Sequence, residues 1–398
     1  MQTIEIVKTW ITKLPNINII FSEELPTNSI NKKESMNLMF YKNKIDNVNN
    51  HKIWDKAKKL SNEYELIHLP SKKLKTESIA LYDPLSRSYF KLWEIIFDFQ
   101  LFNNPVINQK SNIIAGLAEG PGGFIEALLN YRKKYHKLTD KIYGITLRSS
   151  NKDIPGWNKA TEFIKKNTNI NILYGKDNTG NIYNLDNILD FQSKVGKNSA
   201  YIVTADGGFD FSIDFNNQEQ LSYRIIFCEI VTCLSIQQKG GHFICKVFDL
   251  YTPLSLKLIY LLTCLYDTIY LTKPLTSRPA NSEKYIICKN FKGISKEYLD
   301  KLLNIVTSWE IINNIGMYIH DLFDIELPQS FVNIILEYNK HNSNTQIENI
   351  EKTLTIIKNQ SNLTTLNTYI KFQSQQALNW CTKFDVEINY NSNFFKNC

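Results

Sequence analysis

The sequence predicts an α/β fold built on a seven-stranded, mostly parallel sheet whose last strand runs antiparallel, and three observations predict it. From about residue 112 onward, short apolar runs alternate with amphipathic segments, the pattern of a parallel sheet with crossover helices. A glycine-rich stretch at 116–124 lies between the first apolar run and the first amphipathic segment, where doubly wound sheets receive nucleotide-like ligands. The final two apolar runs are joined by residues 273–283, which hold Pro274 and Pro279 and are too irregular for a crossover helix, so the last strand must turn back.

Taken in order, the strand runs are 112–117, 141–146, 169–174, 200–205, 242–247, 268–272 and 284–289. Helical segments fall between them near 123–134, 157–167, 183–193, 217–238 and 253–265. Upstream, 86–100 forms a helix with Tyr89, Phe90, Trp93, Ile96 and Phe97 on one stripe. Residues 1–80 are mixed and weakly periodic, with a lysine-rich amphipathic stretch at 51–64. Beyond 292 the pattern is helical again, over 296–309, 311–323, 330–339, 347–359 and 365–383. The expected organisation is a basic N-terminal extension (1–80), a catalytic domain (81–292) and a helical C-terminal extension (293–398).

The 398 residues suffice for one large core, and 43% hydrophobic with 21% charged residues is ordinary for a soluble globular protein. Net charge is +7, with lysines crowded at Lys32-Lys33, Lys56/Lys58/Lys59 and Lys72/Lys73/Lys75. Such clusters suit a polyanion, although a solvated lysine face is the plainer account of charge alone. The seven cysteines interrupt apolar runs without a CxxC pair, which points to reduced thiols inside a cell. Six scattered histidines give no protein-built metal site. No signal pattern and no membrane-length run is present, so a soluble chain in the cytoplasm is expected (a host cytoplasm or a virion for a viral source), with the nucleus as the cellular alternative.

Four polar residues stand in apolar or glycine-rich settings: Lys91, Asp206, Lys246 and Glu283. Asp206 ends the run Tyr201-Ile-Val-Thr-Ala205 and precedes Gly207-Gly208; an acid there faces the ligand crevice of an open sheet, or caps a turn. Lys246 closes Gly240-Gly-His-Phe-Ile-Cys245, and a lysine among such neighbours must snorkel, pair or function. Lys91 lies one helical turn after Arg87 on the same face. By itself it would be a surface lysine. Glu283 sits in Ser277-Arg-Pro-Ala-Asn-Ser-Glu-Lys-Tyr285, where alone it would be a solvated loop acid. In the glycine stretch, Gly116-Leu-Ala-Glu-Gly-Pro-Gly-Gly-Phe124 lacks the GxGxxG spacing of a dinucleotide site.

Together these segments, over about residues 85–290, resemble the FtsJ/RrmJ-type RNA ribose 2′-O-methyltransferases. The stretches 240–253 and 273–285 are most similar to cap-specific messenger RNA 2′-O-methyltransferases. The resemblance implies a Rossmann-like methyltransferase sheet, S-adenosyl-L-methionine as cofactor and a Lys91–Asp206–Lys246–Glu283 catalytic tetrad. It implies a cofactor loop of Gly116, Glu119, Gly120, Pro121, Gly122, Gly123 and Phe124, with an acid meeting the cofactor's ammonium group. Many relatives carry Asp at the position of Gly116, and Glu119 is the substitute. Thr146, at the end of the second strand, would lie by the cofactor ribose, and Asp206 by the cofactor itself. Asp177 would accept from the adenine amino group, unless it only shapes the turn Asp-Asn-Thr-Gly180.

The implied reaction is an in-line displacement, for which the ribose hydroxyl must be oriented and relieved of its proton. Burial beside Lys91 and a sulfonium is expected to lower the pKa of Lys246, with Asp206 and Glu283 orienting the two lysines. No metal is required. The implied partner is RNA, most naturally capped messenger RNA with other capping enzymes nearby. Ribosomal or transfer RNA is the alternative substrate, and a non-catalytic RNA-binding subunit is the alternative role. Candidate RNA contacts are Arg87, Arg278, Lys72, Lys73 and Lys75.

Overall fold

A computed structural model describes residues 2–48, 51–69, 78–151, 154–208, 216–359 and 363–394. The chain opens with β1 (Gln2–Glu5), β2 (Asn16–Ser22), α1 (Lys32–Asp46), α2 (His51–Ser61), α3 (Ser88–Asp98) and the single turn α4 (Pro105–Asn108). The alternating core starts with β3 (Ile113–Leu117), α5 (Gly123–His136), β4 (Lys141–Ile145), α6 (Thr161–Lys166), β5 (Ile170–Leu173) and α7 (Leu185–Val195). It continues with β6 (Ala200–Ala205), α8 (Gln218–Ile236), β7 (Gln237–Val247), α9 (Pro253–Leu265), β8 (Tyr266–Lys273) and β9 (Lys284–Phe291). Last come α10 (Lys296–Asn314), β10 (Tyr318–Asp324), α11 (Gln329–Lys358) and α12 (Leu363–Lys383).

Eight strands form the main sheet in the order β1-β8-β9-β7-β6-β3-β4-β5. The predicted seven are all there, and β9 runs antiparallel to both β7 and β8. β3 pairs in parallel with β4 on one side and β6 on the other. Strand order therefore reverses between β3 and β6, and the crevice at their carboxyl ends is where such sheets take ligands. The all-apolar reading of β6 is explained by burial on both faces: all six of its residues are buried.

The eighth strand, β1, was not expected. Its four residues carry too short a pattern to stand out, and its existence depends on β8, along which it pairs from Gln2↔Lys273 to Glu5↔Tyr270. It covers what would be an open sheet edge. Two C-terminal expectations are also corrected. Residues 311–323 are not a helix: α10 ends at Asn314, Gly316 turns the chain with φ +78°, and β10 pairs antiparallel with β2. The segments 330–339 and 347–359 are one helix, α11. Its polar middle stays helical because it is buried: Asn339 donates to the Leu250 carbonyl at 2.6 Å and Gln346 to that of Ala280 at 3.0 Å.

The two flanks thus pair with each other and close over the core. α1 and α2 pack on α11, and Asp249 ties α1 to β9 by accepting from Lys42 and Lys284, both at 2.9 Å. α12 meets α3, the predicted helix of the first lysine, where the Trp93 indole donates to the Phe384 carbonyl at 2.8 Å and Trp380 to Glu94 at 3.1 Å. Among the described residues no helix is long and apolar enough to cross a membrane.

Candidate active site

Four separate segments bring Lys91, Asp206, Lys246 and Glu283 to the carboxyl ends of the central strands as two lysine–acid pairs. Most of the α3 surface is buried, which leaves Lys91 one outlet, toward Glu283. Its Nζ lies 2.7 Å from Glu283 Oε1 and donates to Oε2 at 2.9 Å. Ser277 donates to Oε1 from the other side at 2.7 Å. Lys246 donates to the Asp206 carbonyl at 2.7 Å, with Oδ1 of the same residue at 3.2 Å. Tyr285, opposite Lys246 in the β7–β9 register, donates to Asp206 Oδ1 at 3.0 Å. The four side chains are only 12–18% exposed, so they face a crevice rather than open solvent.

Burial pushes the Glu283 carboxyl up, but Lys91, Lys246 and Lys273 outweigh it and hold the group well below the ordinary carboxylate range. At Lys246 burial works downward, yet Asp206 and Glu283, joined by Glu229 once that is ionised, win and raise it. The expected lowering of Lys246 is therefore not met, because each lysine already has its own acid. The lysine that is lowered, to about 7, is Lys273, through burial and the neighbouring Lys284 and Lys91. It donates to the carbonyls of Asn281 and Glu283 at 2.6 and 2.7 Å, clamping the loop that carries Glu283.

In the glycine loop, Glu119 folds back over Gly116. A Cβ at Gly116 would stand 3.0 Å from Glu119 Cγ and 3.1 Å from Cδ, so glycine at 116 makes room for the acid at 119. The carboxylate accepts from the Thr204 hydroxyl at 2.8 Å and from the Ile125 N–H, in the first turn of α5, at 3.2 Å. Burial raises its pKa well above the usual value, and the charges that act on it, Asp206 and Glu229, are acidic too. Gly120 and Pro121 form the turn, and Gly122, with φ +102°, begins α5 in a conformation that excludes side chains. Gly123 sits so close to α3 that a Cβ would meet the hydroxyls of Ser86 and Ser88 at 2.3 Å, while buried Phe124 packs beside Tyr285. Thr146, buried at the end of β4, accepts from the Gly120 N–H at 3.4 Å.

Three of the expected ligand contacts already have partners in the structure. Asp177 accepts within its own turn from Thr179, Asn184 and Asn187 at 2.7–2.9 Å, the other role expected of it. Arg87 does not face outward: its guanidinium donates to the carbonyls of Tyr64, Glu65, His68 and Thr276 and pairs with Glu65 at 3.3 Å. Arg278 pairs with the same Glu65 at 2.7 Å. Both arginines pair with the buried Glu65 between them, although Arg278 stays 27% exposed. Lys72, Lys73 and Lys75 lie outside the described residues.

Several site residues escaped the sequence reading. Glu229 was visible as an acid inside the apolar run Phe227–Ile236, and Lys273 as a lysine ending an apolar strand. Trp157 gave no such signal. Its ring lies against Gly122 and Gly144, 3.1 and 2.9 Å from where their Cβ atoms would be, and its indole N–H has no partner among the described residues.

A doubly wound sheet with a reversed seventh strand, a glycine loop at its switch point and acid-paired lysines beside it define a group-transfer site of the α/β methyltransferase class. The profile of the family described as FtsJ-like methyltransferase matches residues 84–291, and the chain belongs to that family. Among curated proteins it is 39% identical over 237 residues to cap-specific mRNA (nucleoside-2′-O-)-methyltransferase 1 of Mus musculus, covering 54% of this chain and 27% of that one. The Homo sapiens protein of the same name is 33% identical over 290 residues, covering 67% and 34%. The chain thus spans about a third or less of the curated relatives it matches. A solved ribosomal RNA methyltransferase from Plasmodium falciparum is 21% identical, with a TM-score of 0.36, covering 52% of this chain and 99% of that one.

The family's cofactor is S-adenosylmethionine, and the residues present fit it. Glu119 is a buried acid facing the like charges of Asp206 and Glu229, which a ligand ammonium would relieve, and the Trp157 N–H is a buried donor beside the loop with no partner among the described residues.

Proposed function

We propose that this chain moves the methyl group of S-adenosylmethionine to the 2′-hydroxyl of an RNA ribose, at the first transcribed nucleotide of capped messenger RNA. Residues 81–292 form the catalytic unit in this reading. The observation that carries it is the meeting of the pairs Lys91–Glu283 and Lys246–Asp206, at 2.7–3.2 Å, beside a glycine loop holding a buried acid. The cap assignment is supported by the curated relatives, which are named for that reaction.

When bound, the cofactor supplies a methyl carbon on a positively charged sulfur. Lys246, the least exposed of the four side chains at 12%, would hold the ribose hydroxyl and take or steer its proton while the methyl carbon leaves sulfur, which keeps the bonding pair, for the oxygen. With its acids around it Lys246 is an ammonium; a second cation beside it opposes that charge and readies it to lose a proton. Asp206 fixes the Lys246 head, Glu283 fixes that of Lys91, and Ser277 and Lys273 fix Glu283. These groups are in place before reaction, which is how electrostatic stabilisation is made effective.

The test is transfer of labelled methyl from S-adenosylmethionine to capped, uncapped and structured RNAs, followed by digestion to nucleosides. Label in the 2′-O-methyl nucleoside at the cap-proximal position is expected. Equal labelling of uncapped or structured RNA would move the substrate to ribosomal or transfer RNA. No labelling of any RNA, with cofactor binding intact, would leave a non-catalytic RNA-binding subunit.

A further inference from the structure

Behind the tetrad lies an acid that the proposed chemistry does not use. Glu229 sits on α8 among buried Phe227, Cys228, Ile230 and Val231, and is itself fully buried. Its Oε1 accepts the Gly207 N–H at 2.9 Å, and its Oε2 faces the Cys245 thiol at 3.7 Å. The approach is so close that a Cβ on Gly207 would stand 2.3 Å from Oε1. One side chain thus bridges the residue after Asp206 and the residue before Lys246. We infer that Glu229 is a positioning residue for methyl transfer, holding the Asp206–Gly207 turn against β7 and governing, through its own proton, how firmly Lys246 keeps its charge. The inference rests on the methyl-transfer reading above.

Structural need alone does not explain an acid here. A glutamine of the same shape would accept the Gly207 N–H equally well, without the cost of placing an ionisable group in the core. The ionisable groups that act on Glu229 or feel it are Lys246 and Cys245 from β7, Asp206 after β6, Glu119 from the glycine loop, Cys228 from α8 and Tyr183 before α7. Lys246 is the cation among them. Burial pushes the Glu229 carboxyl up to about 8, against the pull of Lys246 and the Gly207 amide. Near neutral pH it therefore carries its proton and leaves Lys246 answering to Asp206 and Glu283. Once ionised it becomes a third carboxylate around that lysine, which then gives up its proton less readily. Below that value the neutral fraction of Lys246 grows with pH; above it the added carboxylate offsets the growth, so transfer should level off as pH rises through it.

The experiment compares the full chain with Glu229→Gln and Glu229→Leu, measuring kcat and KM for labelled methyl transfer to capped RNA from neutral to alkaline pH. Glu229→Gln should rescue kcat relative to Glu229→Leu and keep rising with pH where wild type levels off. Glu229→Leu, which leaves the Gly207 N–H unpaired, should lower kcat roughly ten- to hundredfold with both KM values unchanged. Infrared difference spectra of wild type against Glu229→Gln at neutral pH should show the carbonyl band of one protonated carboxylic acid. Superimposable pH profiles for wild type and Glu229→Gln overturn the inference, and so does a missing acid band, even if Glu229→Leu does not fold. An inactive wild type that shows the band would instead sink the methyl-transfer reading while the Glu229 proton stands.

Discussion

Replacing Glu65 with glutamine tests the reassignment of the two arginines. Glu65 follows α2 in a short turn, and its side chain is only 2% exposed. It accepts from Arg278 at 2.7 and 3.0 Å and from Asn62 at 2.7 Å, with Arg87 at 3.3 Å. Glutamine keeps the shape and removes the buried carboxylate that pairs with both guanidiniums. Breaking a buried ion pair by removing one partner costs about 3–5 kcal/mol. Here Arg87 keeps four carbonyl acceptors and Arg278 is 27% exposed, so water relieves part of the loss, and about 3 kcal/mol is expected. Against a total of roughly 5–15 kcal/mol that is a large share. Burial pushes the Glu65 carboxyl up, but Arg278 and Arg87 outweigh it, and its pKa ends below the ordinary value. Its stabilisation is therefore complete above the unfolded-state pKa of about 4.3 and is lost as pH falls through the lower folded value. Urea unfolding followed by tryptophan fluorescence, at neutral and acid pH, reads both effects. The reasoning is refuted if Glu65→Gln unfolds like wild type while binding RNA more tightly with a steeper salt slope, since the freed arginines would then be RNA ligands.

The remaining predictions concern the site and its approach. Lys246→Ala should cut methyl transfer by about 10²- to 10⁴-fold while calorimetry shows unchanged S-adenosylmethionine affinity, and near-normal turnover would remove Lys246 from the chemistry. Glu119→Ala should weaken cofactor binding by on the order of tenfold or more, and adding Gly116→Asp should restore part of it by moving the acid; undiminished affinity in the single variant would show that Glu119 does not hold the ammonium. Changing Lys72, Lys73 and Lys75 to glutamine should flatten the salt dependence of RNA binding by about two units of slope, at about 0.7 per lost phosphate contact, with cofactor affinity unaltered. An unchanged slope would make those lysines a solvated face.

The core strands, and Asp206 and Lys246 among the four candidate residues, were legible because their signals are local. A buried parallel strand is nearly all apolar, as β6 is apart from Thr204, and a charged residue at the end of such a strand stands out against it, as Asp206 and Lys246 do. The helix of Lys91 was equally plain, but the lysine itself became a candidate only through resemblance, since nothing near it in sequence says that Glu283 lies 2.7 Å away. The reversed strand was legible from Pro274 and Pro279, which deny its connection a helix.

Tertiary structure decided the rest, because there the partner is far along the chain. β1 is a strand only beside β8, and β10 only beside β2, 296 residues away along the chain in the pairing Tyr318↔Ser22. Arg87 and Arg278 carry the same charge as an RNA ligand would, and only the burial of Glu65 between them turns both inward. The proton balance of Lys246 was likewise beyond the sequence. Type and order name two lysines and two acids, but which charge dominates depends on distance and burial, and the structure adds Glu229 from α8 to the acidic side. Local pattern set the sheet and singled out Asp206 and Lys246; long-range packing set their partners, and with them their charge.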